Sequence, residues 1–277
     1  MNIDLSQFAA GLSRVEDGSW RAVDATVSYP SSGHSSCFAV EDDSFWFRHR
    51  NRCILALVKR YPPSGPIFDI GGGNGFVTKG LCEAGFPSVL VEPGSVGCDN
   101  ALARGVPVVA RSTAEDAGFR SRSLPAVGLF DVLEHIEEDA KFLVWLLGKL
   151  SPGARLYLTV PAYQSLWSHE DVHAGHFRRY RRGEITGLLA ASGFLVDYSS
   201  YMFLPLVLPI LLLRSLPTRL GLRRSASAEA TESEHAPVGQ GLLSRMLAPE
   251  CGLIERGVPA AFAGSSIVVC ATKPDTR

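Results

Sequence analysis

The sequence lacks an excess of charge of either sign. Its 277 residues carry 27 Lys and Arg against 28 Asp and Glu, a formal net charge of −1. A chain without a basic field does not attract nucleic acid through long-range electrostatics, so we predict no nucleic-acid partner. The N-terminal residues also lack the basic stretch and apolar run of a secretory signal, and we therefore expect a cytoplasmic protein.

Long hydrophobic runs are missing as well. The apolar segment 202–213 (MFLPLVLPILLL) is shorter than the roughly 20 residues that a membrane-spanning helix needs, and Pro205 and Pro209 oppose a regular helix. Two interpretations are open: a buried cap element, or an apolar surface that contacts a lipid-linked substrate or, peripherally, a membrane. The small polar residues at 221–241 that follow predict a mobile connector.

Cysteine is present, but without the spacing of a metal site or a disulfide framework. The six cysteines stand far apart with no C-x-x-C pair, at Cys37, Cys53, Cys82, Cys98, Cys251 and Cys270. Their mostly apolar neighbours predict buried free thiols in a reducing compartment. The three histidines at 169, 173 and 176 are the alternative set of zinc ligands by residue type, but no cysteine lies near them, and we predict no metal.

Short apolar runs alternate with helical patterns along most of the chain. Buried strands are predicted at 66–70, 88–92, 106–111, 125–133, 154–160 and 266–272, with helices between them. Alternation at this short pitch predicts βαβ units and a mostly parallel sheet with helices on both faces. The fold class is therefore α/β and doubly wound.

The strongest functional signal is D-I-G-G-G-N-G at 69–75. Gly71, Gly73 and Gly75 follow a buried strand and precede a helix, where a bare backbone lets a nucleotide approach closely. Dinucleotide-binding dehydrogenases use a related loop, so glycine spacing alone leaves two cofactor classes open. Asp69 at the strand end would repel a pyrophosphate, whereas it suits the positively charged sulfonium and α-amino group of S-adenosylmethionine. Glu92, at the end of the second strand, can accept hydrogen bonds from both ribose hydroxyls, a device that both classes use.

Taken together, the motifs resemble those of class I S-adenosylmethionine-dependent methyltransferases, of the bacterial small-molecule type. The resemblance covers about residues 45–200 and rests on the glycine loop, Glu92, T-A-E-D at 113–116, F-D-V-L-E-H-I at 130–136 and S-P-G at 151–153. It implies a Rossmann-like sheet of seven strands whose last strand, supplied by 267–272, is antiparallel. It also implies that Thr113 and Ala114 adjoin the adenine and that Asp131 faces the methionine part. The family often has an aspartate where Thr113 stands, which leaves the role of Thr113 open.

The segment F-W-F-R-H-R at 45–50 resembles an aromatic–arginine helix that precedes the glycine loop in the same group. Trp46 and Arg50 share one face of this helix because they are four residues apart. We predict that they cover the cofactor pocket as a lid, with core packing of the aromatic residues as the alternative.

The loop after the fifth strand, residues 161–180, is dense in groups that move protons or bind anions. Methyl transfer to oxygen needs a base near neutral pH, and His173 and His176, three residues apart, would face one side of a helical turn. These two histidines and Tyr180 are the candidate catalytic residues. The G-H-x-R-R-Y block at 175–180 also resembles one in the same methyltransferases, so a structural role is the alternative.

We predict three parts: an N-terminal helical lid (1–62), a methyltransferase core (63–201 and 263–277) and an apolar cap insertion (202–262). The predicted function is methyl transfer from S-adenosylmethionine to a small, apolar or lipid-like biosynthetic acceptor. A sugar or small amine is the alternative acceptor. The alternatives for the whole protein are a catalytically idle S-adenosylmethionine-binding scaffold and a nicotinamide-dependent oxidoreductase.

Overall fold

The computed structural model describes residues 3–16, 18–22, 37–221, 240–259 and 262–275. The predicted connector at 221–241 therefore lies almost wholly outside the described residues.

A single twisted sheet organises the described part of the chain. Its nine strands are β1 (Leu12–Arg14), β2 (Trp20–Ala22), β3 (Ile67–Ile70), β4 (Ser88–Glu92), β5 (Val109–Arg111), β6 (Leu124–Phe130), β7 (Leu150–Pro161), β8 (Leu195–Met202) and β9 (Ser266–Thr272). Their order across the sheet is β1-β2-β5-β4-β3-β6-β7-β9-β8. Strands β3 to β7 are parallel, and β9 runs antiparallel between β7 and β8. The α/β, mostly parallel, doubly wound class is confirmed.

Helices connect these strands. They are α1 (Phe45–Arg60), α2 (Phe76–Glu83), α3 (Ser95–Ala103), α4 (Asp139–Lys149), α5 (His169–Ala174), α6 (Arg182–Ala191), α7 (Val207–Ile210), α8 (Leu216–Arg219) and α9 (Gln240–Glu255). Helices α1 and α9 pack together on one face of the sheet, where Ile54 and Leu57 of α1 and Leu247 of α9 are fully buried. The chain reverses its direction across the sheet between β3 and β6, and ligands of open α/β sheets bind at the carboxyl ends of the strands beside such a switch.

The strand count differs from the predicted seven because an N-terminal hairpin extends the sheet. Strands β1 and β2 pair with each other antiparallel, and β2 adds to β5 in parallel. The prediction of a helical lid over residues 1–62 is therefore wrong for residues 12–14 and 20–22, and α1 is the long helix among the described residues of this part. Three-residue strands carry too little alternation for a sequence pattern to reveal them, and it is the free edge of β5 that gives this hairpin its partner.

The apolar segment after β8 is helical but changes type repeatedly. A 3₁₀ turn (Leu204–Leu206), α7, a π-helical turn (Leu211–Ser215) and α8 follow one another, so the two prolines alter the helix rather than prevent it. The segment is buried only at its start, where Met202 and Phe203 are 0% exposed, whereas Leu208, Leu212 and Leu213 are 65%, 57% and 59% exposed. Among the described residues, no helix is both long enough and apolar enough to span a membrane.

Candidate functional site

The glycine loop between β3 and α2 has the backbone geometry that requires glycine. Gly71, Gly73 and Gly75 have φ angles of +70°, +55° and +73°, in the left-handed region. A Cβ atom at Gly71 would lie 2.9 Å from Val132 Cγ2, and one at Gly75 would lie 2.8 Å from Val106 Cγ2. The loop therefore packs directly against the chain that follows β6, which brings the ends of β3 and β6 together.

Asp69 lies at the end of β3, fully buried beneath this loop. Its Oδ2 accepts a hydrogen bond of 2.5 Å from the Thr78 hydroxyl, whereas Oδ1 has no partner within the described residues. Burial raises the pKa of Asp69 to about 6, since a charged carboxylate is poorly solvated there. A cationic group placed at Oδ1 would compensate that charge.

Glu92 ends β4 and fixes the glycine loop from the other side. Its Oε2 accepts the Gly73 N–H at 3.0 Å, and its Oε1 accepts the Gly94 N–H at 2.7 Å. Burial raises the pKa of Glu92 to about 6, although these two amides oppose the shift. A carboxylate accepts about four hydrogen bonds in total. Glu92 can therefore accept hydrogen bonds from ribose hydroxyls in addition to those from the Gly73 and Gly94 amides.

Thr113 and Ala114 follow β5 in the next loop along this edge of the sheet. The Thr113 hydroxyl donates to Asp116 Oδ2 at 2.8 Å and accepts the Asp116 N–H at 3.0 Å. The Thr113 side chain therefore stabilises the turn from residue 113 to residue 116. Ala114 is buried at this edge of the sheet.

Trp46, Arg50 and Asp131 meet, although 81 residues separate Arg50 from Asp131. The Arg50 guanidinium forms an ion pair with Asp131 and lies 4.9 Å from the centre of the Trp46 ring. Asp131 also accepts the Thr159 hydroxyl at 3.0 Å, and its φ of +58° is a conformation that only a minority of non-glycine residues adopt. Trp46 in turn stacks on Phe203 at 5.5 Å. Helix α1 is thus connected to the end of β6.

Buried polar atoms without a hydrogen-bond partner gather around this ion pair. Within the described residues they include Asp69 Oδ1, both carboxyl oxygens of Glu134, and Arg50 Nε. Burial, with the nearby charge of Asp131, raises the pKa of the fully buried Glu134 well above its usual range. Leaving such groups unpaired costs free energy, so their grouping at the strand ends indicates a place for a polar ligand.

In the loop that follows β7, His176 is held by a carboxylate. Its Nδ1 lies 2.8 Å from Asp171 Oδ1, and Arg179 binds the same carboxylate at 2.7 Å through Nε. His176 Nε2 lies 4.0 Å from Glu134 Oε1, and the His176 ring contacts the His135 ring edge-on at 4.7 Å between centroids. Burial is the main reason that the pKa of His135 falls to about 4.

The other two candidate catalytic residues, His173 and Tyr180, do not lie beside His176 in a shared site. His173 is exposed on α5, because this helix ends at Ala174 and Gly175 turns the chain in a left-handed conformation before His176. Tyr180 is buried, and its hydroxyl donates to Asp139 Oδ2 at 2.8 Å. Burial and this carboxylate both raise the pKa of Tyr180. The helical-spacing argument for the two histidines and the assignment of Tyr180 as a proton carrier are not supported by this arrangement.

Sequence reasoning missed two residues that shape the site. Asp171 orients His176, and its only signal was its place three residues after Ser168, as the acid of a helix capping box. Thr78 binds Asp69, and nothing in its sequence context distinguishes it from other helix residues.

The glycine loop and the acids at the strand ends define a Rossmann-like, nucleotide-binding α/β protein. Residues 45–199, more than half of the chain, match the model of the methyltransferase domain family. The chain belongs to this methyltransferase family.

Solved structures with the same fold include methyltransferases of several substrates. Haemonchus contortus phosphoethanolamine N-methyltransferase 2, in complex with S-adenosyl-L-methionine, is 18% identical with a TM-score of 0.55 over 89% of this chain and 58% of that one. An S-adenosylmethionine-dependent methyltransferase from Thermotoga maritima is 15% identical with a TM-score of 0.54, covering 87% and 95%. A geranyl diphosphate methyltransferase, in complex with GPP and sinefungin, is 14% identical with a TM-score of 0.50, covering 79% and 76%.

This chain thus spans little more than half the length of the first of these proteins. At such identities the likeness concerns the fold. A search of curated proteins found no match to the sequence.

Proposed function

We propose that this chain transfers a methyl group from S-adenosylmethionine to a small, apolar or lipid-like acceptor. Family membership supports methyl transfer. The observation that carries the acceptor class is a row of exposed leucines packed beside the loop that follows β7.

The residues at the strand ends fit S-adenosylmethionine. We assign the glycine loop and Asp69 to its methionine part, Glu92 to the ribose, and Thr113 and Ala114 to the adenine. The unpartnered Oδ1 of Asp69 suits a positively charged group, and the left-handed glycines keep the loop backbone free of side chains at the ends of β3 and β6. Arg50 and Asp131 supply one charge of each sign for the carboxylate and amino group of the same amino-acid portion.

The apolar face is connected directly to the acceptor loop. The π-helical turn Leu211–Ser215 packs against the 3₁₀ turn Gln164–Leu166, and the Arg219 guanidinium donates to the Ser165 carbonyl at 3.1 Å. Leucines at 208, 212 and 213 point outward beside this contact with more than half of their surface exposed. An apolar surface of this kind favours acceptors with a hydrocarbon portion, and it gives the protein a peripheral contact with the membrane that contains them.

We assign the proton transfer to His176. S-adenosylmethionine, when bound, supplies a methyl group on a positively charged sulfur, which is a good leaving group. With Nδ1–H donated to Asp171, the His176 Nε2 is the basic nitrogen and can accept a proton from an acceptor hydroxyl. The buried Arg179–Asp171 pair keeps the ring in this orientation.

Domain roles follow from the same assignments. The core binds the cofactor, α1 covers it, and the 161–180 loop presents the acceptor beside the exposed leucines of the cap insertion. The alternative of a nicotinamide-dependent oxidoreductase loses its support with the family match. The alternative of an idle S-adenosylmethionine-binding scaffold differs from ours only in turnover, so turnover is what the experiment must measure.

The test combines binding with turnover. Calorimetric titration with S-adenosylmethionine should give a binding signal that Asp69→Asn weakens. Radiolabelled methyl transfer should then be found with isoprenoid or lipid acceptors in phosphatidylcholine vesicles, and not with water-soluble amines or sugars. Binding without turnover on any acceptor would favour the idle scaffold, and turnover on soluble amines alone would refute the apolar acceptor.

The membrane contact has its own control. Leu208→Glu with Leu212→Glu should reduce sedimentation with phosphatidylcholine vesicles, whereas Val144→Glu, which replaces a residue of α4 with similar exposure (56%), should leave it unchanged. Equal sedimentation of all three proteins would rule out docking through this face.

A further inference from the structure

Three potential metal ligands converge between α1 and α9, beside the carboxylate of Glu250, on residues to which the proposed methyl transfer gives no role. His49 and Cys53 lie one turn apart on α1, and Glu250 and Cys251 lie on α9. The His49 Nε2 atom is 3.3 Å from Cys53 Sγ and 2.9 Å from Glu250 Oε2. The two sulfur atoms, Cys53 Sγ and Cys251 Sγ, are 3.6 Å apart. One ligand atom each from His49, Cys53 and Cys251 lies within 4.8 Å of the other two.

These distances are close to those between the ligands of one tetrahedral zinc ion. With Zn–S near 2.3 Å and Zn–N near 2.0 Å, tetrahedral angles place two sulfurs about 3.8 Å apart and a sulfur and a nitrogen about 3.5 Å apart. The Cys53–Cys251 and Cys53–His49 separations therefore need a shift of only a few tenths of an ångström. Thiolate and imidazole are the donors that zinc prefers in structural sites.

The ligands are held in place by the surrounding structure. Cys53 and His49 are buried, and the carboxylate of Glu250 accepts the backbone N–H groups of Phe203 at 2.9 Å and Leu204 at 3.1 Å. An open cavity of about 270 Å³ reaches His49 and Cys251 from the surface, which gives an ion a path of entry.

We propose that His49, Cys53 and Cys251 bind one zinc ion and that Glu250 orients the His49 ring beside it. The ion takes the place of the protons that Cys53 and His49 otherwise share with their neighbours.

The role of the ion is structural. It joins α9, which belongs to the cap insertion, to α1, whose Arg50 is adjacent to His49 and bound to Asp131. His49 also contacts Phe203, whose ring stacks on Trp46. A zinc ion here therefore connects α1 to both ends of the cap insertion, at Phe203 and at α9. It does so without contacting the proposed cofactor site at the ends of the strands.

The experiment measures metal in the full-length protein. Wild-type protein purified without chelator should contain about one zinc per chain by elemental mass spectrometry. After removal of zinc, added Co²⁺ should produce thiolate-to-metal charge-transfer bands and the d–d bands of a tetrahedral site. Cys53→Ala and Cys251→Ala should each lose both signals, whereas Cys82→Ala should retain them, because this half-buried thiol lies elsewhere, beside the Ser88 carbonyl.

The wild-type measurements decide the matter even where a variant does not fold. Substoichiometric zinc together with the absence of Co²⁺ bands in the reduced wild-type protein would overturn the proposal. Zinc that survives in both Cys53→Ala and Cys251→Ala would overturn it too, because the ion would then be bound at another site.

Discussion

The hydrogen bonds of Glu92 allow a quantitative prediction. In Glu92→Gln an amide NH₂ replaces one carboxyl oxygen, so either the Gly73 N–H or the Gly94 N–H loses its acceptor. That loss lowers the free energy of unfolding by about 1–3 kcal/mol, because a buried donor is left unsatisfied. For the cofactor, the ribose hydroxyls assigned to Glu92 would donate to a neutral instead of a charged acceptor. Hydrogen bonds to a charged acceptor are worth about twice those to a neutral one, a difference of about 1–3 kcal/mol for two bonds. Because each 1.4 kcal/mol is about tenfold in affinity, S-adenosylmethionine should bind roughly 10- to 100-fold more weakly.

The assay is calorimetric titration at pH 7.5, with the free energy of unfolding measured on the same preparations. Glu83→Gln is the matched control, since the same chemical change is made on an exposed side chain of α2 whose ion pair with Lys79 lies on the surface. We expect the control to bind S-adenosylmethionine within about twofold of the wild type. A folded Glu92→Gln protein that binds as tightly as the control would refute the assignment of Glu92 to the cofactor site.

Three further predictions concern the same end of the sheet. Gly71→Ala should lower the free energy of unfolding by about 1–3 kcal/mol because alanine is strained at positive φ, whereas Gly148→Ala, in open space on α4, should be neutral or stabilising in denaturant titrations. Affinity for S-adenosylmethionine should fall about tenfold between pH 7 and pH 5, because Asp69, with a pKa raised to about 6, becomes protonated and loses its attraction for a cation; a profile for Asp69→Asn as steep as that of the wild type would contradict this. Arg50→Met should destabilise the fold by about 2 kcal/mol by leaving Asp131 unpaired, and addition of Asp131→Asn should recover part of the loss in the same assay.

Local patterns of the sequence determined the core of the fold and one half of the site. Short apolar runs between helical patterns predicted strands β3 to β7 and β9. Strands that are buried on both faces of the sheet are apolar along most of their length. The glycine loop and Asp69 could be predicted because they are consecutive in the sequence. Glu92 could be predicted because it ends the next buried strand. Trp46, Arg50 and Asp131 were each predicted for this site, and the structure brings them into contact.

Only the tertiary structure decided the features that join distant parts of the chain. The pairing of β2 with β5 depends on a free sheet edge, and the support of His176 by Asp171 depends on the turn at Gly175. The exposure of the leucines at 208, 212 and 213 was equally invisible in the sequence, because an apolar run has the same composition whether it is covered or not. The clearest case is the pair Cys53 and Cys251, whose sulfur atoms are 3.6 Å apart across 198 residues. Spacing rules for metal ligands apply to residues that are near in sequence, whereas this cluster exists because α9 packs on α1.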